Sequence, residues 1–160
     1  MSIYNGLFLQ QSPTGNKISP HILYSGGPLI SVAITIPNAL VQLYQKEQRP
    51  IPAPISGIAL IDTGATKTCV HDKIMEKLGV QTTGVTTTHT ANGPKQSNLY
   101  PAHFSFPAPK IEIDFNSVLE VDLSGQTFQN QQIVALIGRD LLSRAVLVYN
   151  GPAGMFTIAI

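Results

Sequence analysis

The stretch IALIDTGATKT, residues 58–68, carries one acidic residue out of an apolar run and stops it on Thr63 and Gly64. An apolar run that ends on turn residues is the pattern of a buried strand. The run starts upstream: ISGIALI, residues 55–61, is apolar on both faces near its end, as expected of a strand entering a buried layer. A carboxylate delivered from such a strand onto a Thr-Gly turn is held rigidly near an apolar layer. Gly64, with no side chain, lets another backbone come close. These are the needs of a catalytic carboxylate. Two carboxylates placed together share a proton, so that one serves as acid and the other as base. The plain alternative is a capped turn in which the Asp62 side chain bonds nearby amides.

The rest of the chain is consistent with a β framework around that strand. With 43% hydrophobic and only 12% charged residues in 160, much of the polar surface must come from Thr, Ser, Gln and Asn, which favours strands over charged helices. A chain of this length can bury one core of its own. Residues 29–36, LISVAITI, read as a strand between Gly26-Gly27-Pro28 and Pro37. Further strands are expected at AHFSF, KIEIDF, VLEVDL, QIVALI, AVLVY and MFTIAI. HDKIMEKLGV sets Ile74, Met75 and Leu78 on one helical face, with Gly79 as C-terminal cap. Residues 38–54 contain KEQRPIPAP, whose prolines predict an exposed, extended connection. The Thr-rich stretch up to residue 90 and the following ANGPK predict a projecting hairpin with an Asn-Gly turn.

Ala59-Leu60-Ile61 recurs as Ala135-Leu136-Ile137, each time before a glycine-containing turn. Three matched residues are within reach of chance; a structural repeat would mean two halves of similar strand-turn-helix shape.

Ten basic and nine acidic residues leave a net charge of +1 with no Lys/Arg stripe, so nucleic acid is not an expected partner. No apolar run reaches membrane-spanning length, no secretory leader is recognisable at the start, and a single cysteine, Cys69, excludes an intrachain disulfide. Neither a membrane nor a leader-directed route is therefore expected, and the expected compartment is the cytoplasm. Cys69 and His71 lie two apart and could make a thiol-base pair, but a buried structural cysteine is the reading preferred here. His21, His89 and His103 match no zinc spacing, and no metal or cofactor is expected. Met75 and Phe128 read as core.

The chain holds one Asp-Thr-Gly and no Asp-Ser-Gly; Asp72, Asp114, Asp122 and Asp140 sit in other contexts. If two such turns must meet, the second comes from another copy of the chain across a two-fold axis. ALIDTGAT followed by ALIGRDLL resembles the paired signature of the retropepsin-like aspartic proteases, single-domain relatives of pepsin. That resemblance implies an all-β, closed barrel or sandwich of acid-protease type with one or two short helices. It places the domain at residues 29–160, after an N-terminal extension, residues 1–28, for which it offers no counterpart. It implies a homodimer that hydrolyses polypeptides, with Asp62, Thr63 and Gly64 as the catalytic turn and Thr63 bonding across the subunits. Ala65 and Thr66 would bind substrate, together with Thr90, Ala91, Asn92 and Gly93 in a flap over residues 90–96. The alternative under the same resemblance is a dimer without turnover that serves as a peptide-binding or assembly module. This sequence departs from many viral relatives at Thr66, where they carry an acid that pairs with the arginine of the Gly-Arg motif, here Arg139.

Overall fold

A computed structural model describes residues 2–90 and 93–160, with the backbone alone at 89 and 90. In chain order the elements are β1 (Ile3–Leu7), β2 (Leu9–Ser12), β3 (Gly15–Ile18), α1 (Pro20–Gly26), β4 (Leu29–Thr35), α2 (Asn38–Lys46), β5 (Ile55–Ile61) and β6 (Cys69–His71). They continue with α3 (Asp72–Leu78), β7 (Gly84–Thr90), β8 (Gly93–Phe106), β9 (Ile111–Val121), β10 (Thr127–Phe128), β11 (Gln131–Ile137), α4 (Arg139–Leu142), β12 (Val146–Asn150) and β13 (Met155–Ala159). The chain is thus mostly β, the class expected.

Six strands close on themselves in the order β11-β5-β4-β8-β9-β6, because β6 pairs with β9 on one side and returns to β11 on the other. Alternation drives the closure. Along β4, Ile30, Val32 and Ile34 face inward and are buried, whereas Ser31 is exposed. They meet Ala59 and Ile61 of β5, Phe104 of β8, Val118 of β9 and Ile137 of β11 in one core. Complete burial of a side chain such as Phe104 or Ile34 contributes about 2–3 kcal/mol. Helix α3 packs Ile74, Met75 and Leu78 into the same core, and Gly79 ends it in the left-handed conformation, φ 64°.

Long strand β8 does two jobs. Up to Leu99 it forms the projecting hairpin with β7, whose only strand partner among the described residues is β8; beyond Pro101 it joins β4 in the barrel. Its register against β9 shifts between Tyr100 and Ala102, at a proline that cannot donate to the ladder.

The extended connection expected over residues 38–54 holds only for its second part. Asn38–Lys46 is helix α2, which packs Leu40, Val41 and Tyr44 on the core at helical spacing. Prolines 50, 52 and 54 all lie beyond it and leave 49–54 without regular structure. The start of α2 is fixed by Asp114, which accepts from Asn38 Nδ2 at 2.8 Å and lies 2.9 Å from His103 Nδ1. Partial burial opposes ionisation of Asp114, but the hydrogen bonds from His103 and Asn38 prevail and hold its carboxyl below the usual range.

Residues 3–26 carry β1, the exposed hairpin β2-β3 and α1. β1 pairs antiparallel with β13, Ile3 opposite Ala159, and β12 flanks β13 on its other side. Ser2 and Ile160 exchange backbone hydrogen bonds of 2.7 and 3.0 Å.

Candidate functional site

The echo between the two halves turns out to be a strand pair. β11 lies parallel to β5 with Ala135 opposite Ala59, Leu136 opposite Leu60 and Ile137 opposite Ile61. The ladder runs off its end at the acidic turn, where the Asp62 N–H donates to Ile137 O at 2.9 Å. Beyond that point the two chains separate, one into the Asp62 turn and the other into α4.

Within the turn, Asp62 Oδ1 accepts from the amides of Gly64 at 2.8 Å and Ala65 at 3.3 Å. Among the described residues nothing donates to Oδ2. One oxygen is therefore fixed by the backbone while the other is available to a ligand, a second carboxylate or water. A side chain at position 64 would put its Cβ 3.1 Å from Oδ1, a tight contact that would press on the carboxylate.

The Gly-Arg-Asp segment holds this turn from behind. Arg139 Nη1 donates to the carbonyls of Thr63 at 2.7 Å and Gly64 at 3.0 Å, and Nη2 donates to Thr66 Oγ1 at 2.9 Å. Arg139 N–H reaches Ala65 O at 2.9 Å and Asp140 N–H reaches Thr66 O at 3.2 Å. Asp140 in turn accepts from Thr68 N and Thr68 Oγ1, at 2.9 and 2.8 Å, and the same hydroxyl accepts from Gly138 N at 3.2 Å. Thr66 thus serves Arg139 as a neutral acceptor, and the carbonyls of Thr63 and Gly64 accept from Nη1. A lysine has no planar fork to span these three acceptors. Arg139→Lys is expected to cost about 1–2 kcal/mol of folding stability, read from urea unfolding; an unchanged midpoint would mean that the guanidinium holds nothing.

A cleft of about 710 Å³ opens between this turn and the β7-β8 hairpin. Gly64, Ala65 and Thr66 line it, brought there together from the expected set. Its roof comes from the arms of the hairpin: Thr86, Thr87 and Thr88 on β7 and Lys95, Ser97 and Leu99 on β8. At the far end of the hairpin the backbones of Thr90 and Gly93 pair, with Gly93 outside the cleft lining, while Ala91 and Asn92 fall outside the described residues. Thr63 faces the other way and lines a shallow hollow of about 330 Å³ with Arg139, Leu142, Ser143 and Leu147. Sequence reasoning missed Lys67 and Lys95, and assigned no role to Thr68 or Asp140; the signal for the last pair lay in the Gly-Arg-Asp motif itself.

Cys69 is buried on β6, and its Sγ lies 3.3 Å from Lys67 O. Burial, with Asp140 and Asp62 adding to it, pushes its thiol up to about 11, so it is a protonated wall group and not a nucleophile. Among the described residues one group has ligand atoms close enough for a metal, His71, Asp72 and Asp122, within 4.8 Å of one another. None of the three lines the cleft, and His71 Nδ1 already lies 3.3 Å from the Leu123 amide.

A retropepsin-like aspartic protease from Rickettsia conorii is similar to the chain at 15% identity and TM-score 0.44, over 98% of this chain and 92% of that one. The retroviral protease-like domain of Ddi1 from Leishmania major is similar at 17% identity and TM-score 0.37, over 76% and 81%. No curated protein matches. Residues 56–144 match the family described as "gag-polyprotein putative aspartyl protease". That span runs from β5 through the Asp62 turn and the hairpin to α4. It contains every contact by which Arg139 and Asp140 hold the turn, and the chain belongs to this retropepsin-like aspartyl protease family.

Proposed function

We propose that the protein is an aspartic endopeptidase in which two copies each present Asp62 to one shared site. The observation that carries this reading is the asymmetric environment of Asp62: Oδ1 is tied to two amides and Oδ2 has no donor among the described residues, on a turn whose Gly64 and Ala65 line a cleft roofed by a hairpin. Two such carboxylates facing each other hold one proton and one water between them. The ionised member takes a proton from the water as its oxygen bonds to the peptide carbonyl carbon. The protonated member donates to the developing oxyanion. Collapse of the tetrahedral adduct breaks the C–N bond, and the proton is passed to the departing amine.

The face suited to meet the second copy is the one that carries Thr63, with the Leu142 and Leu147 hollow beside it. Next to it runs β12, exposing Val146, Val148 and Tyr149, with β13 as its only strand partner among the described residues. A cytoplasmic setting, where the lone thiol stays reduced, is part of the same reading.

Dilution tests it. For a site completed by two chains, cleavage of a peptide pool per milligram of protein falls as the concentration drops below the dimer dissociation constant measured by sedimentation. Cleavage per milligram that stays constant through dissociation would show a monomeric enzyme. A stable dimer that binds extended peptides and cleaves none at any pH between about 4 and 7 would make it a binding or assembly module.

A further inference from the structure

Among the cleft's lining residues, three carry charge: Lys67, Lys95 and Glu120. Glu120 is committed to the hairpin wall, since its Oε2 accepts from Asn98 Nδ2 and from Tyr100 Oη, both at 2.9 Å. The lysines have no such commitment. Lys67 Nζ donates to the neutral Ser117 Oγ at 3.1 Å, which leaves it two further donors and an uncompensated charge. Among the described residues, no carboxylate forms an ion pair with Lys67 or with Lys95. Arg139, the other cation beside the turn, is directed into the loop carbonyls and does not line the cleft.

The neutral lining points the same way. Among the described side chains of β7, Thr86 and Thr88 are half-buried while Val85 is 58% exposed on the opposite face, so this strand turns hydroxyls inward and its apolar residue outward. Thr88 Oγ1 donates to Lys95 O at 3.1 Å and lies 3.2 Å from the buried Ser97 Oγ, so these two hydroxyls tie the arms of the hairpin together. The ammoniums and the hydroxyls of Thr86 and Thr87 are donors for an anion, whereas Leu99, Leu119 and Val121 offer an apolar strip for methylene groups.

We propose that this cleft selects extended peptides bearing a glutamate side chain, its methylenes on the apolar strip and its carboxylate between Lys67 and Lys95. The proposal deepens the endopeptidase reading and rests on it for turnover, though not for binding. A lysine or arginine of the substrate at the same position meets two like charges and only one, already bonded, carboxylate.

The test uses one peptide sequence carrying Glu, Gln or Lys at each position in turn. Binding is followed by fluorescence anisotropy on the Asp62→Asn protein, and on wild type wherever no cleavage occurs. At pH 6 the best Glu peptide is expected to bind at least about fivefold tighter than its Gln counterpart, and the Lys peptide weakest. The advantage of Glu over Gln should vanish as the pH falls below about 4, where the peptide carboxylate protonates. Lys67→Gln and Lys95→Gln should each reduce it. Equal binding of the three peptides, no binding of any, or a preference for Glu that survives both lysine substitutions overturns the proposal. Cleavage is measured on the same peptides with wild type: an intact preference without cleavage defeats the endopeptidase reading alone, and cleavage without preference defeats the selectivity alone.

Discussion

Asp62→Asn is expected to abolish peptide cleavage, a fall of at least about 10³-fold, with fold and dimer retained. The amide oxygen of asparagine can still accept from Gly64 and Ala65, which hold Oδ1 at 2.8 and 3.3 Å, so the turn keeps its shape. What disappears is the group able to exchange a proton with water. Mixing gives a sharper readout than the variant alone. If equal amounts of wild type and variant exchange subunits at random, about a quarter of the dimers keep two aspartates. Activity should therefore drop to about a quarter of that of the same total wild-type protein, not to half. Half would mean that each chain works by itself, and substantial cleavage by pure Asp62→Asn would remove this carboxylate from the chemistry.

The largest expected effect on stability comes from Gly138→Ala. A Cβ at position 138 would stand 2.3 Å from the carbonyl carbon of Lys67, 2.5 Å from its oxygen and 2.7 Å from the nitrogen of Thr68. All three are backbone atoms, so no rotamer change can make room. The backbone at 138 is extended, φ −88° and ψ 179°, and is open to any residue; the obstacle is contact alone. Nor can the two segments drift apart cheaply, because Asp140 grips Thr68 and the Arg139 amide grips Ala65. We expect a loss of at least about 3 kcal/mol in urea unfolding. Gly84→Ala is the control, its nearest neighbour being Leu99 Cδ1 at 3.9 Å, and it should fold normally. A Gly138→Ala protein as stable as wild type would mean that residues 67 and 138 are not packed as described.

Those contacts mark the limit of what the sequence alone could convey. The β5 strand was legible because Ile58, Ala59, Leu60 and Ile61 form an apolar run, and such runs lie where neighbours flank both sides; β4 and β11 do so here. The Ala-Leu-Ile echo was visible, but its meaning, two copies hydrogen-bonded in register, depends on a contact between distant segments. Helix α2 was overlooked because the prolines at 50, 52 and 54 outweighed the spacing of Leu40, Val41 and Tyr44, although they act only downstream. Arg139 could not be assigned from Thr66 alone: two of its acceptors are main-chain carbonyls, which every residue has and no sequence pattern announces. The lysines of the cleft carry no sequence signal for a related reason, since Lys67 and Lys95 come to line one cleft only through the fold.

The pairing of β1 with β13 also has a consequence for how the molecule is made. Ile3 leaves the ribosome well before Ala159, yet each is the other's partner. Until the last strand emerges, the first presents unpaired amides and carbonyls, and the parallel β5-β11 ladder waits for most of the chain as well. Folding during translation should therefore stall short of completion, and the nascent chain would depend on chaperones to shield its apolar strands.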